Sequence, residues 1–87
     1  MKYCLIWGKM VWYIVECKLS KIITSPYSGK EQYTFVDGNI IKHFEQLDSS
    51  LNGILGSEAP NFYTEEYSFA EHDSLEELLA AHFEVFL

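Results

Sequence analysis

The chain has 87 residues, of which 48% are hydrophobic and 16% aromatic, and a formal net charge of −7. That size sets the expectation of one domain spanning residues 1–87, burying about 60% of the surface its unfolded form exposes. The apolar content excludes intrinsic disorder despite the charge. Arginine is absent and the pI is near 4.7. Direct nucleic-acid binding is therefore not expected, because that affinity comes mainly from Lys and Arg neutralising phosphates.

Residues 1–26, MKYCLIWGKMVWYIVECKLSKIITSP, are rich in β-branched and aromatic residues and read as strands. Trp7-Gly8-Lys9-Met10 is the expected turn, with further strand over Val11–Glu16 and Leu19–Thr24. The apolar start is too short and too interrupted by Gly8 and Lys9 for a membrane span, and no small-residue cleavage site follows it. Cys4 and Cys17 fall within apolar strand patterns. Two reduced thiols in or near the core of a cytosolic, cytoplasmic protein are expected. Ser25-Pro26-Tyr27-Ser28-Gly29 has turn chemistry, and Gln32–Val36 is a strand ended by Asp37-Gly38.

The segment after Gly38 fits two templates. Asp-Gly is a hairpin signal, with NIIKHF as the return strand. Over a longer window Ile40, Ile41, Phe44, Leu47, Leu51, Ile54 and Leu55 fall on one helical face, and Gly56 follows where a C′ glycine belongs. The longer match favours a helix over about 39–55. After a loop, NFYTEEYSF alternates as a strand with Tyr63, Glu65, Tyr67 and Phe69 on one face. In DSLEELLAAHFEVFL, Ser74 and Glu77 form a capping box, and Leu75, Leu78, Leu79, His82, Phe83 and Phe86 make an apolar stripe. The expected architecture is α+β: an antiparallel sheet of three to four strands with two helices on one face.

No catalytic constellation emerges, so an enzyme is not expected. Cys4, Cys17, His43, His72 and His82 are the available soft or borderline metal donors. Twelve residues separate the cysteines and nine separate His72 from His82, which matches no zinc pattern. No metal site and no cofactor is expected. His43 and His72 read as solvated, and His82 as a half-buried histidine donating to a nearby carbonyl. Neither cysteine has an activating context, and no nucleophile turn is present. Glu65 and Glu66 point to opposite faces of a strand, and Glu76 and Glu77 are explained by capping, so neither pair is an acid–base dyad.

The informative feature is charge layout. Residues 1–42 hold six Lys against three acids, a net of +3; residues 43–87 hold ten acids and no Lys or Arg, a net of −10. A chain needing only solubility would intersperse both signs. The expected partner-binding set is Tyr63, Glu65, Glu66, Tyr67, Glu71, Asp73, Glu76, Glu77 and Glu84. The carboxylates would steer a cationic partner, with Tyr63 and Tyr67 as aromatic anchors beside Phe62. A nucleic-acid mimic would need acids about 6–7 Å apart along the strand, where this sequence places tyrosines, so a specific basic patch is preferred.

Small, acidic, arginine-free domains without catalytic motifs are similar in class and composition to the antagonists that phages and mobile elements carry against host nucleases, including anti-CRISPR proteins. The resemblance implies a non-enzymatic inhibitor docking on a basic, nucleic-acid-handling protein, an effector or nuclease. The rival expectation is a homodimeric structural or scaffold protein that associates through the apolar stripe of the C-terminal helix.

Overall fold

The computed structural model describes residues 1–8, 10–45 and 57–83. Its elements are β1 (Lys2–Gly8), β2 (Val11–Cys17), β3 (Leu19–Thr24), β4 (Glu31–Val36), β5 (Asn39–Glu45), β6 (Ser57–Glu58), β7 (Phe62–Tyr63), β8 (Ser68–His72) and α1 (Leu75–Ala81). They form a five-stranded sheet in the order β6-β5-β2-β1-β8 and a three-stranded sheet in the order β3-β4-β7. All strand pairs are antiparallel.

Much of this architecture is one bent ribbon. Thr24 stands opposite Glu31, Leu19 opposite Val36, Glu16 opposite Asn39 and Val15 opposite Ile40, an unbroken register from the hairpin tip into the larger sheet. The ribbon turns a corner at Lys18 and Asp37-Gly38, where the Lys18 N–H donates to the Val36 carbonyl at 2.9 Å. Each half then belongs to a different sheet, as at the corners of folds in which strands pass between packed sheets. Asp37 takes φ 52°, in the left-handed region that Asp tolerates better than most residues. Beyond the corner the register shifts between Ile14 and Val15, so that Ile14 faces Lys42. The extra residue in β5 is Ile41, which packs on the opposite side of the sheet from Ile40.

β1 and β2 are central strands covered on both faces. Cys4, Ile6, Val15 and Cys17 point toward the smaller sheet and pack with Ile40 and Phe62, against Tyr33, Phe35, Tyr67 and Phe69. Leu5 and Ile14 point the other way and bury Leu78 of α1, flanked by Tyr3, Trp7, Trp12, Ile41, Leu75 and Leu79. This double covering explains why Cys4-Leu5-Ile6 and Ile14-Val15 are consecutive apolar residues rather than an alternation. The helix begins as expected: Ser74 is the N-cap, its Oγ accepting from the Glu77 N–H at 3.1 Å.

The expectation of a single sheet with two helices on one face is overturned. Among the described residues the fold is mostly sheet, with two antiparallel sheets and one short helix. Asn39–Glu45 is strand β5, paired along its length with β2. Of the apolar residues that matched a helical face, Ile40 and Ile41 serve opposite faces of a doubly covered sheet, which the 3.6-residue pattern imitates over a few positions. The rest of the expected helix, residues 46–55, lies outside the described residues. NFYTEEYSF is also not one strand. β7 ends at Tyr63, and both the Glu66 and Tyr67 N–H groups donate to the Tyr63 carbonyl, at 3.1 and 3.0 Å, so residues 64–66 turn.

Candidate functional site

The expected partner-binding residues divide between the two ends of β8. Glu65 and Glu66 lie in the turn before it, both exposed. Glu71 is exposed near its far end, on the sheet edge opposite Cys4 of β1. Asp73 follows, and Glu76 and Glu77 occupy the exposed first turn of α1. Glu71 shares the sheet face of its partner Cys4, which looks toward the smaller sheet, whereas α1 with Glu76 and Glu77 packs on the other face. Along β8 the chain advances three residues from Ser68 to Glu71, roughly 10 Å at the usual strand rise. Glu84 lies outside the described residues.

Asp73 is exposed but already has a cation beside it. Its carboxylate is ion-paired and hydrogen-bonded to the Lys2 ammonium at the start of β1. That bond holds the Asp73 carboxyl below the usual carboxylate range and the Lys2 amine above its own. Among the described residues this is the salt bridge formed by a lysine. Lys18, Lys21 and Lys30 belong to the corner and to the β3–β4 hairpin, in the other sheet.

Of the two expected aromatic anchors, Tyr67 packs against the core together with Phe62, and Tyr63 stays exposed. Phe62 is buried between Tyr13, Phe35 and Tyr67. Tyr67 meets Phe62 edge-on with ring centroids 5.1 Å apart, and a Cβ on Gly8 would come within 2.9 Å of its ring. Gly8 thus leaves room for the edge of the Tyr67 ring at the end of β1. Tyr63 keeps an exposed ring, with the Lys30 Nζ 5.4 Å from its centroid. A cation is already present at that anchor.

Both thiols are fully buried and unbonded, with Sγ atoms 3.9 Å apart. Burial pushes the Cys4 thiol far above its ordinary range, with the neighbouring Cys17 adding to the effect, and burial raises Cys17 as well. Neither is a nucleophile in this setting. Glu16, across from Tyr3 on β2, raises the Tyr3 phenol.

One juxtaposition was missed by the reading of spacing. His72, at the end of β8, and His82, capping the C-terminus of α1, bring their Nε2 atoms to 3.1 Å, both side chains half-buried. Their rings meet nearly edge to face, at 79°, and Trp7 stands beside His82 with ring centroids 5.9 Å apart. His72 is therefore not the solvated side chain expected, while His82 is half-buried as expected and has the His72 imidazole among its partners. The only signal in the sequence was that a strand and a capped helix joined by two residues must fold back on each other. Tyr13 and His43 stack at 4.6 Å, so His43 is also half-buried rather than solvated.

Among the described residues no three His, Cys, Asp or Glu side chains converge as a metal-ligand group, and no helix is long and apolar enough to cross a membrane. Comparison with protein-family models, with curated proteins and with solved structures returns no match.

Proposed function

We propose that this protein is a non-enzymatic, acidic binding protein that docks on a basic surface of a nucleic-acid-handling protein, an effector or nuclease. It would act as an inhibitor of the kind phages and mobile elements carry, anti-CRISPR proteins among them. The observation that supports this reading is the exposure of Glu65, Glu66, Glu71, Glu76 and Glu77 along β8 and the start of α1, while the lysine ion pair among the described residues involves Asp73 alone. Exposed carboxylates of one sign raise the encounter rate with a cationic surface and select its register more than they add affinity. A cytoplasmic setting belongs to the same proposal, since two buried thiols 3.9 Å apart remain unbonded.

The exposed acids lie in the turn before β8, on β8 and on α1, and so differ from the evenly spaced ladder a phosphate backbone presents. This favours a basic protein surface over imitation of a continuous nucleic acid. Glu65 and Glu66 sit in a turn, so both can face one partner, which strand alternation would have forbidden.

The test is low-salt capture from the source organism's lysate, with elution at high salt and identification of what elutes. Glu65→Lys/Glu66→Lys and Glu71→Lys/Glu76→Lys variants, shown by circular dichroism to be folded, are expected to lose the eluted partner, with affinity down roughly tenfold or more. Retention of the same partner by both variants at the same salt refutes the proposal.

A second reading, self-association, draws on a different observation. Leu75, Leu78 and Leu79 of the apolar stripe pack on the larger sheet, while Leu19, Ile22, Ile23 and Val36 of the β3–β4 hairpin are exposed. β3 is an edge strand, and exposed apolar edges pair with other chains. Light scattering at two ionic strengths separates the readings, because an apolar dimer persists in salt and a charge-driven complex weakens.

A further inference from the structure

We propose that His72 and His82 form a binding site for a divalent transition-metal ion of the class imidazole prefers, Zn²⁺, Ni²⁺ or Cu²⁺. The two Nε2 atoms are 3.1 Å apart. For metal–nitrogen bonds of about 2.0–2.1 Å, two neighbouring ligands stand about 2.9 Å apart at a right angle and about 3.4 Å apart at the tetrahedral angle. The observed separation lies between these, so one ion can be held by both rings with small adjustment.

The site is organised before any ion arrives. His72 is held by the β1–β8 ladder, directly opposite Tyr3. His82 is placed by α1, whose Leu78 is fully buried against Leu5 and Ile14, and its own N–H donates to the Leu78 carbonyl at 3.1 Å. Ligands on packed elements lose little entropy on binding. The Trp7 ring stands beside His82, with ring centroids 5.9 Å apart, and adds an apolar neighbour to the site. Imidazole is a borderline donor that suits these ions, whereas Mg²⁺ and Ca²⁺ prefer oxygen.

With two protein ligands, the remaining coordination positions go to water or to a donor from a bound partner. The ion would join the end of β8 to the end of α1, the two elements that carry Glu71, Glu76 and Glu77. The site stands on the geometry of the two rings and does not depend on the acidic-docking proposal.

The test titrates the full chain with Zn²⁺ alone in a non-coordinating buffer. Two-dimensional NMR of the imidazole C–H signals is expected to show His72 and His82 shifting together while His43 stays in place. Saturating Zn²⁺ should raise the melting temperature by roughly 5 °C or more. His72→Gln and His82→Gln should each weaken binding about tenfold or more and abolish that rise. If the His72 and His82 signals stay unmoved in excess Zn²⁺, the contact is a plain imidazole–imidazole hydrogen bond and the proposal falls. Binding that moves His43, or only the N-terminal region, overturns it equally. The NMR measurement needs no substitution, so a variant that fails to fold leaves the question decided.

Discussion

Phe35 lies directly over Gly38: a Cβ placed on Gly38 would stand 2.5 Å from the Phe35 Cβ. No side chain fits there without moving the β4 backbone, so the corner of the bent ribbon depends on this glycine. Gly38→Ala is expected to destabilise the fold by about 1–3 kcal/mol through overpacking. Urea unfolding measures it as a lower midpoint with an unchanged slope. A midpoint equal to that of the parent would mean the corner opens freely.

Leu78 is fully buried and is the residue by which α1 grips the sheet. Leu78→Ala should cost about 2–5 kcal/mol, the range for emptying a buried leucine site. Ser74→Ala removes only the cap and should cost about 0.5–2 kcal/mol. Denaturation of both variants should preserve that order; equal losses would show that α1 is held by its cap rather than by its packing.

The thiols predict a stability that declines in alkali. A folded thiol pushed above its unfolded value keeps its proton while the unfolded chain releases it. The unfolded state therefore gains stability as pH rises past the ordinary value of 9.0. The slope approaches about 1.4 kcal/mol per pH unit for each thiol. Below that pH the two thiols contribute no pH dependence. Thermal melts from pH 7 to 10 should show the decline, and Cys4→Ala should flatten it; an identical slope in the variant would assign the loss to other groups. Ellman's reagent should label neither thiol in the native protein.

The Lys2–Asp73 pair has limits on both sides of neutrality. The Asp73 contribution is present above its unfolded value, near the ordinary 3.8, and is lost as pH falls through its lowered folded pKa. The Lys2 contribution is present below the ordinary 10.5 and is lost as pH rises through its raised folded pKa. Asp73→Asn should lower the melting temperature slightly at pH 7, less in high salt, and not at all in strong acid. A difference that survives strong acid would point to packing rather than charge.

Several elements were legible before folding because their causes are local. Ser74 and Glu77 mark a helix start through bonds that span one turn, and Ser74 caps it by accepting from the Glu77 N–H. The first four strands follow from β-branched and aromatic runs broken by turn residues, and Cys4 and Cys17 lie in the core as apolar context implied. Glu65, Glu66, Glu71, Glu76 and Glu77 are exposed where their polarity suggested.

The errors share a different cause. Asn39–Glu45 became strand because β2 offered it a partner in a register continued from the β3–β4 hairpin, and a longer helical match could not show that partner. Of the expected anchors Tyr63 and Tyr67, Tyr67 packs with its neighbour Phe62 between the two sheets, which only the folded smaller sheet reveals. The amino-acid order therefore sufficed for caps, turns, strand propensity and the separation of charge, since each arises between residues close along the chain. Which strands pair, which aromatics are consumed in packing, that Lys2 neutralises Asp73, and that His72 meets His82 were decided by contacts between residues distant or differently oriented along it. Those contacts depend on how two sheets and a helix bury one another's apolar faces, and that competition is settled only when the whole chain is folded.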